Sequence, residues 1–394
     1  MRILYIDEIS CISGGENWFL NYVRGLPDNT DVEPVLLCPE GSFAQAAREN
    51  GVTVIPYKFR FRDVSSHRII NYVLFSICRI WDSIYIGILC KRKKINIIHS
   101  ISTSGHVIAG LIRKLFRVKV LWHIHYQHQP ILYRWLSPDY IVFVAQFRQR
   151  ILNEASVKNI PHHSVIYNGI DSEQLKAVIP VNNDYIHIGY ISRLIPEKGI
   201  EEFIAAAEIL RNSHPRMRFD VFGEEIYNTV LKGKYTDFLK RMIAEKKLSK
   251  NLPEVDLPPA DRSASGGDDI LTMHGFVSQQ TEIFSRINIF VLPSYSLSES
   301  CPMVVLESWA SGVPVIAADN AGVPELITHG ETGWLVPPRN PQAIADAIVY
   351  VLEHPEEVKR VVENARRLVR EKFDYRENAR AFVQLYRELL DERP

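Results

Sequence analysis

At 394 residues the chain is long for a single core, and two domains are expected. Its 46% apolar content is that of a globular protein, and the longest apolar stretch, 69–90, is broken by Arg79 and Asp82, which argues against a transmembrane span. Net charge is zero but unevenly spread: residues 1–170 carry 20 Lys plus Arg against 12 Asp plus Glu, and residues 171–394 carry 26 against 34.

Met1-Arg2-Ile3-Leu4-Tyr5 reads as a strand, not a signal peptide. Apolar runs follow at 3–9, 33–38, 52–57, 95–101, 118–124, 140–144 and 164–167, with helical patterns at 16–26, 42–50, 106–116 and 147–155 between them. A polar join containing Pro180 and Asn182-Asn183 follows. The second half repeats the style, with strands at 185–191, 217–222, 270–274, 288–292 and 313–317 and helices at 199–213, 229–247, 279–286 and 303–311. After Pro341 the chain is helical, and 376–391 gathers Ala381, Phe382, Leu385, Tyr386 and Leu389 on one face. Residues 251–269 are rich in turn formers and read as a mobile surface loop. Strands alternating with helices predict an α/β protein of two Rossmann-like, doubly wound parallel sheets. Such sheets bind ligands at the carboxyl ends of their strands, which points to a cleft between the two.

The five cysteines (11, 38, 78, 90 and 301) show no metal-ligand spacing, and no metal site is expected. An odd, unpatterned set fits a reducing compartment, hence a cytoplasmic protein. Residues 51–120 hold 13 basic and 2 acidic side chains, which suggests an anionic partner or merely a solvated basic face. Within 57–94, Tyr57, Phe59, Phe61, Tyr72, Phe75, Trp81 and Tyr85 interleave with Lys58, Arg60, Arg62, Arg68, Arg79 and Lys91-Arg92-Lys93-Lys94. Basic-aromatic surfaces suit anionic lipid headgroups, so peripheral membrane contact is one reading, and a helix packed on its own sheet is the other. Nucleic acid is not expected, since no binding module accompanies the charge.

Glu299 and Glu307 frame the most informative segment. It reads strand (289–292), loop, helix, strand (313–317), with Pro302 expected at the first helical position. Glu299 falls in the loop and Glu307 about two turns into the helix. Free N–H groups around Cys301, Met303 and Val304 would favour an anion between them. Diphosphate, ribose diol and sugar diol are the matching partners, all present in a nucleotide sugar. Two glutamates near a helix start are also ordinary surface charges. Gly14-Gly15 after the first strand offers close backbone approach, or simply a turn. Arg193 and Lys198 flank a tight turn, Arg193-Leu194-Ile195-Pro196-Glu197-Lys198-Gly199, and suit a diphosphate or plain solvent. His123 and His125 share one side of a strand end; one reads as a core histidine, and His125 is the better substrate contact. Asn168-Gly169 reads first as a turn.

Together these residues resemble the retaining GT-B glycosyltransferases of family 4 over nearly the whole chain. The matching segments are 13–17, 165–171, 189–199, 274–277, 293–317 and 321–338. The resemblance implies a GT-B fold, two Rossmann-like domains facing across a cleft. It divides the chain into an acceptor-binding domain, 1–176 completed by a C-terminal helix at 376–394, and a nucleotide-sugar-binding domain, 177–375. It implies that Arg193 and Lys198 bind the donor diphosphate and that Glu307 holds the ribose hydroxyls. Glu299 would hold the transferred sugar beside the amides of Ser300, Cys301, Met303 and Val304. Gly14 and Gly15 would approach the phosphate, Gly223 would border the donor, and His125 would lie near the reaction centre. It further implies a hexose-type transfer with retention, no metal and no cofactor beyond the nucleotide-diphosphate sugar. UDP-sugars are expected first and GDP-mannose second, with a glycan or lipid-linked acceptor in cell-surface polysaccharide or glycoconjugate synthesis. Ser300 stands where many members have Gly, and Cys301-Pro302 replaces a common Phe-Gly, so the donor sugar stays open. A sugar-nucleotide epimerase of the same fold and a non-catalytic binding protein are the alternatives.

Overall fold

The computed structural model describes residues 1–60, 68–125, 135–154, 162–175, 184–225, 234–249, 269–277 and 279–391. The chain separates into two compact units, residues 1–170 with 373–394, and residues 171–372.

Unit 1 is built on a seven-stranded sheet in the order β3-β2-β1-β4-β5-β6-β7. Its strands are β1 (Arg2–Ile6), β2 (Glu33–Cys38), β3 (Thr53–Pro56), β4 (Ile97–Ser100), β5 (Lys119–Ile124), β6 (Tyr140–Phe143) and β7 (His162–Val165). Every pairing is parallel. The connecting helices are α1 (Gly14–Arg24), α2 (Ser42–Glu49), α3 (Arg68–Lys93), α4 (Thr103–Phe116) and α5 (Gln146–Glu154). Parallel strands need such crossovers, and the near-continuous burial of β1, β4, β5 and β6 is what covering both faces demands. β1 stops at Ile6, short of the expected 3–9, because the Asp7 carboxylate accepts the Ile9 N–H at 3.1 Å and turns the chain.

Unit 2 carries a six-stranded parallel sheet, β10-β9-β8-β11-β12-β13. The strands are β8 (Ile186–Ile191), β9 (Met217–Phe222), β10 (Leu271–Gly275), β11 (Ile289–Leu292), β12 (Val315–Ala318) and β13 (Trp334–Val336). Its helices are α6 (Ile200–Leu210), α7 (Lys234–Glu245), α8 (Gln280–Arg286), α9 (Met303–Ser311), α10 (Val323–Leu326), α11 (Pro341–Glu353) and α12 (Pro355–Lys372). In both sheets the strand order reverses beside the first strand, between β1 and β4 and between β8 and β11, which is where doubly wound folds place ligands. β13 has no counterpart among the expected strands. At three residues it is too short to show a period.

The last helix, α13 (Tyr375–Asp391), belongs to unit 1. Its buried face holds Phe382, Leu385, Tyr386 and Leu389 as expected, with Ala379 and Val383. Tyr386 donates or accepts across a 2.6 Å contact with His99 Nδ1, and its hydroxyl lies 2.9 Å from that of Tyr5. Asn378 accepts from Trp18 Nε1 at 3.1 Å and donates to the Tyr167 carbonyl at 2.6 Å. Gly169 is required here by packing: a Cβ would lie 2.8 Å from backbone and side-chain atoms of Tyr375 and Asn378. The Asn168-Gly169 pair, read as a turn, is thus where the chain lies against α13.

One expectation for 57–94 is corrected. Arg79 is no part of an outer basic face. It is 2% exposed and points inward, 3.5 Å from buried Asp82 and 3.7 Å from Glu8. Tyr57 donates to Asp82 at 2.5 Å and stacks on Tyr85. A buried cation needs such partners, and they draw the side chain into the unit. Phe61 and Arg62, the side chains of Arg68 and Tyr72, the join at 176–183 and the loop at 251–268 lie outside the described residues.

Candidate active site

In unit 2 the chain leaves β8 through Ser192 to Ile195, makes a 3₁₀ turn at Pro196–Lys198 and enters α6 at Gly199. Gly199 has φ 76°, and a Cβ would lie 2.2 Å from the Pro293 carbonyl oxygen, so only glycine lets this turn lie against the end of β11. The contact is hydrogen-bonded: Tyr295 N–H and the Ser294 hydroxyl both donate to the Glu197 carbonyl. Gly223, with φ 138°, is held the same way, where a Cβ would lie 1.8 Å from the Ser192 carbonyl oxygen.

This clamp brings Lys198 and Glu299 together. Lys198 Nζ donates to Glu299 Oε1, and both side chains are almost wholly buried. Expected to hold two parts of a ligand, they hold each other in this structure. Arg193, five residues earlier, is exposed. The Glu299 loop is fixed from three sides. Its N–H donates to the Ser296 carbonyl, its own carbonyl accepts from Gly322, and the Asn320 amide donates to the Ser296 carbonyl at 2.9 Å.

Pro302 is not the first helical residue, as expected, but the N-cap. Its ψ of 113° is extended, and Met303 begins α9. Proline's fixed φ suits both positions, so ψ decides. The consequence is chemical. A proline cap has no side-chain acceptor, and the first turn of α9 has no acidic residue. The first N–H groups, at Met303 and Val304, have no carbonyl of their own helix to reach. Ser300, Cys301 and Met303 are buried around this start. Glu307 is the fifth residue of α9, just past its first turn rather than two turns in. It is buried and has no hydrogen-bond or ion-pair partner among the described residues. Burial alone raises its pKa to about 7. A carboxylate in that state gains from any ligand that donates hydroxyl hydrogens to it.

In unit 1, Gly14 and Gly15 open α1 behind the N-cap Ser13. A Cβ at Gly14 would meet nothing within 4 Å, so the backbone there faces open space. The Ser13 N–H and hydroxyl both donate to Glu16, at 2.8 and 2.5 Å. Glu16 and Asp7 are each 1% exposed, and burial, then the Glu16 charge, raise the Asp7 pKa well above the usual carboxylate range. His125, just past β5, is buried with His123. His125 Nε2 lies 3.2 Å from His123 Nδ1, and Trp18 of α1 packs edge-on against the His123 ring. Burial, then His125, pushes the pKa values of His99 and His123 well below that of free imidazole, so both are neutral.

Two polar groups went unread in the sequence. Asp7 and Glu16 form one; the first strand's end and the helix start were the signal. The other is His187–Asp220–His274, with Asp220 accepting from both rings at 2.7 Å. Burial opposes the Asp220 charge, but the two imidazole contacts outweigh it and hold its pKa below the usual value. Alternation along β8, β9 and β10 puts the three on one face. Among the described residues no group of three or more His, Cys, Asp or Glu is placed to hold a metal ion.

Two family models match in tandem: "Glycosyltransferase Family 4" over residues 12–174 and "Glycosyl transferases group 1" over residues 186–354. The chain belongs to the group 1/family 4 glycosyltransferases and has their GT-B fold. It is 28% identical over 221 residues to an exopolysaccharide phosphotransferase of Streptomyces coelicolor, a match covering 56% of this chain and 20% of that protein. It is 27% identical over 190 residues to the amylovoran biosynthesis glycosyltransferase AmsK of Erwinia amylovora, covering 47% of this chain and 40% of AmsK. The matches therefore span a fifth to two fifths of those relatives' lengths. In fold it is similar to Anabaena Alr3699/HepE, solved with UDP-glucose, at TM-score 0.77 and 17% identity over 98% of this chain and 100% of that one.

Proposed function

We propose that the protein is a retaining glycosyltransferase that moves a hexose-type sugar from a nucleotide-diphosphate sugar to a hydroxyl of a glycan or lipid-linked acceptor in polysaccharide synthesis. The observation that carries this is in unit 2: an uncapped helix start with a buried Lys198–Glu299 pair on one side and, on the other, a buried Glu307 without a partner among the described residues. The amides and the Arg193 and Lys198 cations are assigned to the diphosphate, Glu307 to the ribose diol and Glu299 to the sugar hydroxyls. In unit 1, the open backbone at Gly14, the neighbouring buried Gly15 and the strand-end His125 are assigned to substrate. UDP is the favoured nucleotide, since Alr3699/HepE was solved with UDP-glucose. GDP is the second choice. Synthesis of a polysaccharide is favoured by the name of the Streptomyces coelicolor relative. A cytoplasmic setting fits five cysteines, none of them joined in a disulfide among the described residues.

The chemistry follows from charge. As the anomeric carbon–oxygen bond breaks, negative charge grows on the diphosphate, where fixed cations and amides stabilise it. The acceptor oxygen bonds the anomeric carbon from the same face and its proton passes to a diphosphate oxygen, so configuration is retained. No metal enters this scheme. The test is direct. Thermal shift with UDP and GDP should show stabilisation by one of them. The matching donor should then release nucleotide faster with acceptor present, and NMR should show an unchanged anomeric configuration. Stabilisation by neither nucleotide overturns the reading.

A further inference from the structure

Helix α3 is built inside out. Its buried side carries Arg79, Asp82 and Ser83 together with Ile86 and Cys90. Its exposed side carries Ile77, Ile80, Trp81, Tyr85 and Ile88, each between 43% and 57% exposed. These five recur at three- and four-residue steps and so form one stripe along the helix. Core packing does not explain them, since the ion pair occupies the side that faces the unit. The stripe ends in a cation cluster, Lys91, Arg92, Lys93 and Lys94, all exposed. At the same end Phe116 of α4 packs on Gly87, where a Cβ would lie 2.3 Å from its ring. Its chain neighbours Lys114, Leu115 and Arg117 are exposed and enlarge both the apolar and the cationic surface. A helix C-terminus favours cations by its dipole, which accounts for some of the lysines but not for the stripe.

We infer that this outer face of α3 is a docking surface for an anionic lipid bilayer, with the helix lying in the interface plane. Trp81, Tyr85 and the isoleucines would enter the headgroup–acyl boundary, and Lys91 to Lys94 would meet lipid phosphates. At 26 residues α3 is about 39 Å long, enough for a row of several headgroups. The helix lies on the membrane rather than through it: among the described residues no helix is long and apolar enough to cross. An uncharged apolar partner would not match the cations, and a plain polyanion would leave the stripe in water.

Vesicle flotation tests this. The intact protein should float with phosphatidylcholine vesicles containing phosphatidylglycerol, far less with phosphatidylcholine alone, and be released by salt. Replacing Lys91, Arg92, Lys93 and Lys94 by Gln should weaken binding to the anionic vesicles on the order of 100-fold. Ile80→Glu with Trp81→Glu should weaken it at least ~10-fold at any salt concentration. Both sets are exposed, and circular dichroism should show the fold unchanged. Equal binding to neutral and anionic vesicles overturns the inference, as does unaltered binding by the glutamate variant. So does sedimentation showing a dimer that these substitutions dissociate, with no vesicle binding, since the face would then meet a second copy. The inference does not depend on the transfer reaction. UDP or GDP stabilisation of the same variants reports on that separately.

Discussion

Helices α1 and α9 begin alike, each following a buried parallel strand beside the point where its sheet reverses, yet their starts are electrically opposite. The start of α1 is closed by its own chain, with Ser13 donating twice to the buried Glu16 carboxylate. The start of α9 is bare: a proline cap, no side-chain acceptor and no acid in the first turn. A helix start that already holds its own carboxylate has little left to offer an anion, whereas a bare start keeps its amides and the positive end of its dipole. The proposed diphosphate therefore goes to α9. In that proposal Arg193 and Lys198 are its partners, and the open backbone at Gly14 is left to substrate. Arg193→Ala and Lys198→Ala should each lower turnover ~10²–10³-fold if these cations stabilise the leaving group. Their stabilities should differ. Arg193 is exposed and its loss should cost less than about 0.5 kcal/mol. Lys198→Ala strands a buried carboxylate and should cost about 3–5 kcal/mol in urea melts. Adding Glu299→Gln should restore much of that stability and none of the turnover. Near-normal turnover of the folded Arg193 variant would remove the assignment.

The second test uses pH. Glu307 is protonated more readily in the folded chain, with its pKa raised from 4.5 to about 7. Its contribution is fully present below about pH 4.5 and is lost as pH rises through 7, a change of about 3 kcal/mol. Glu307→Gln should remove that slope, leaving the variant more stable than the parent at pH 8 and little changed at pH 4. The same variant should bind UDP or GDP about tenfold more weakly if the carboxylate accepts ribose hydroxyls. His99 and His123 have the opposite sign. Their depressed pKa values leave them neutral in the fold, so stability falls as pH drops below about 6.5, where the unfolded chain takes up protons. A parent curve that fell only on the acid side, and a Glu307→Gln curve that matched it, would mean the carboxylate is satisfied by something other than ligand.

Glycines sharpen the contrast at smaller scale. Gly169→Ala should cost about 1–3 kcal/mol, because its Cβ runs into the backbone of Tyr375. Gly14→Ala meets nothing in the protein and should leave the melting temperature within a degree or two of the parent. If the open space at Gly14 belongs to substrate, turnover of Gly14→Ala should fall while the fold does not change. Unaltered turnover would assign Gly14 to the turn alone.

Much of this was legible from residue order. Alternating apolar runs gave the two parallel sheets, because a buried strand of four to six residues leaves an unbroken apolar signature. The apolar face of α13 declared a partner it turned out to have. Arg193, Lys198, Glu299 and Glu307 stood out because charge beside strand ends and turn formers is informative. What stayed hidden depended on contacts distant in sequence. Asp82 lies one turn from Arg79, but nothing nearby announces that the pair turns inward, where Glu8 joins it from far away in sequence. The inverted stripes of α3 look like an ordinary amphipathic helix until the fold says which side is inside. Asp220 meets His187 and His274 from three separate strands. Lys198 reads as a free cation until the glycine at 199 lets its turn reach the Glu299 loop.

The smallest predicted effect bears most directly on the two helix starts. Pro302→Ser would give α9 the N-cap residue that α1 has, without a counterpart of Glu16. A serine hydroxyl there can accept the N–H of Val304, while the Val305 N–H already donates to the residue-302 carbonyl, and such a cap adds about 1 kcal/mol or less of helix stability. The chain entropy gained by removing a proline acts against this, so the net change in melting temperature should be slight. Nucleotide binding should respond more clearly, because the hydroxyl now competes with the diphosphate for the same donor. UDP or GDP affinity should fall several-fold, while uridine or guanosine, which lacks the diphosphate, gives no comparable change. Should the serine variant bind nucleotide as tightly as the parent, the amides at Met303 and Val304 are not what holds the anion, and the bare start of α9 is a packing feature of the Ser300–Pro302 turn.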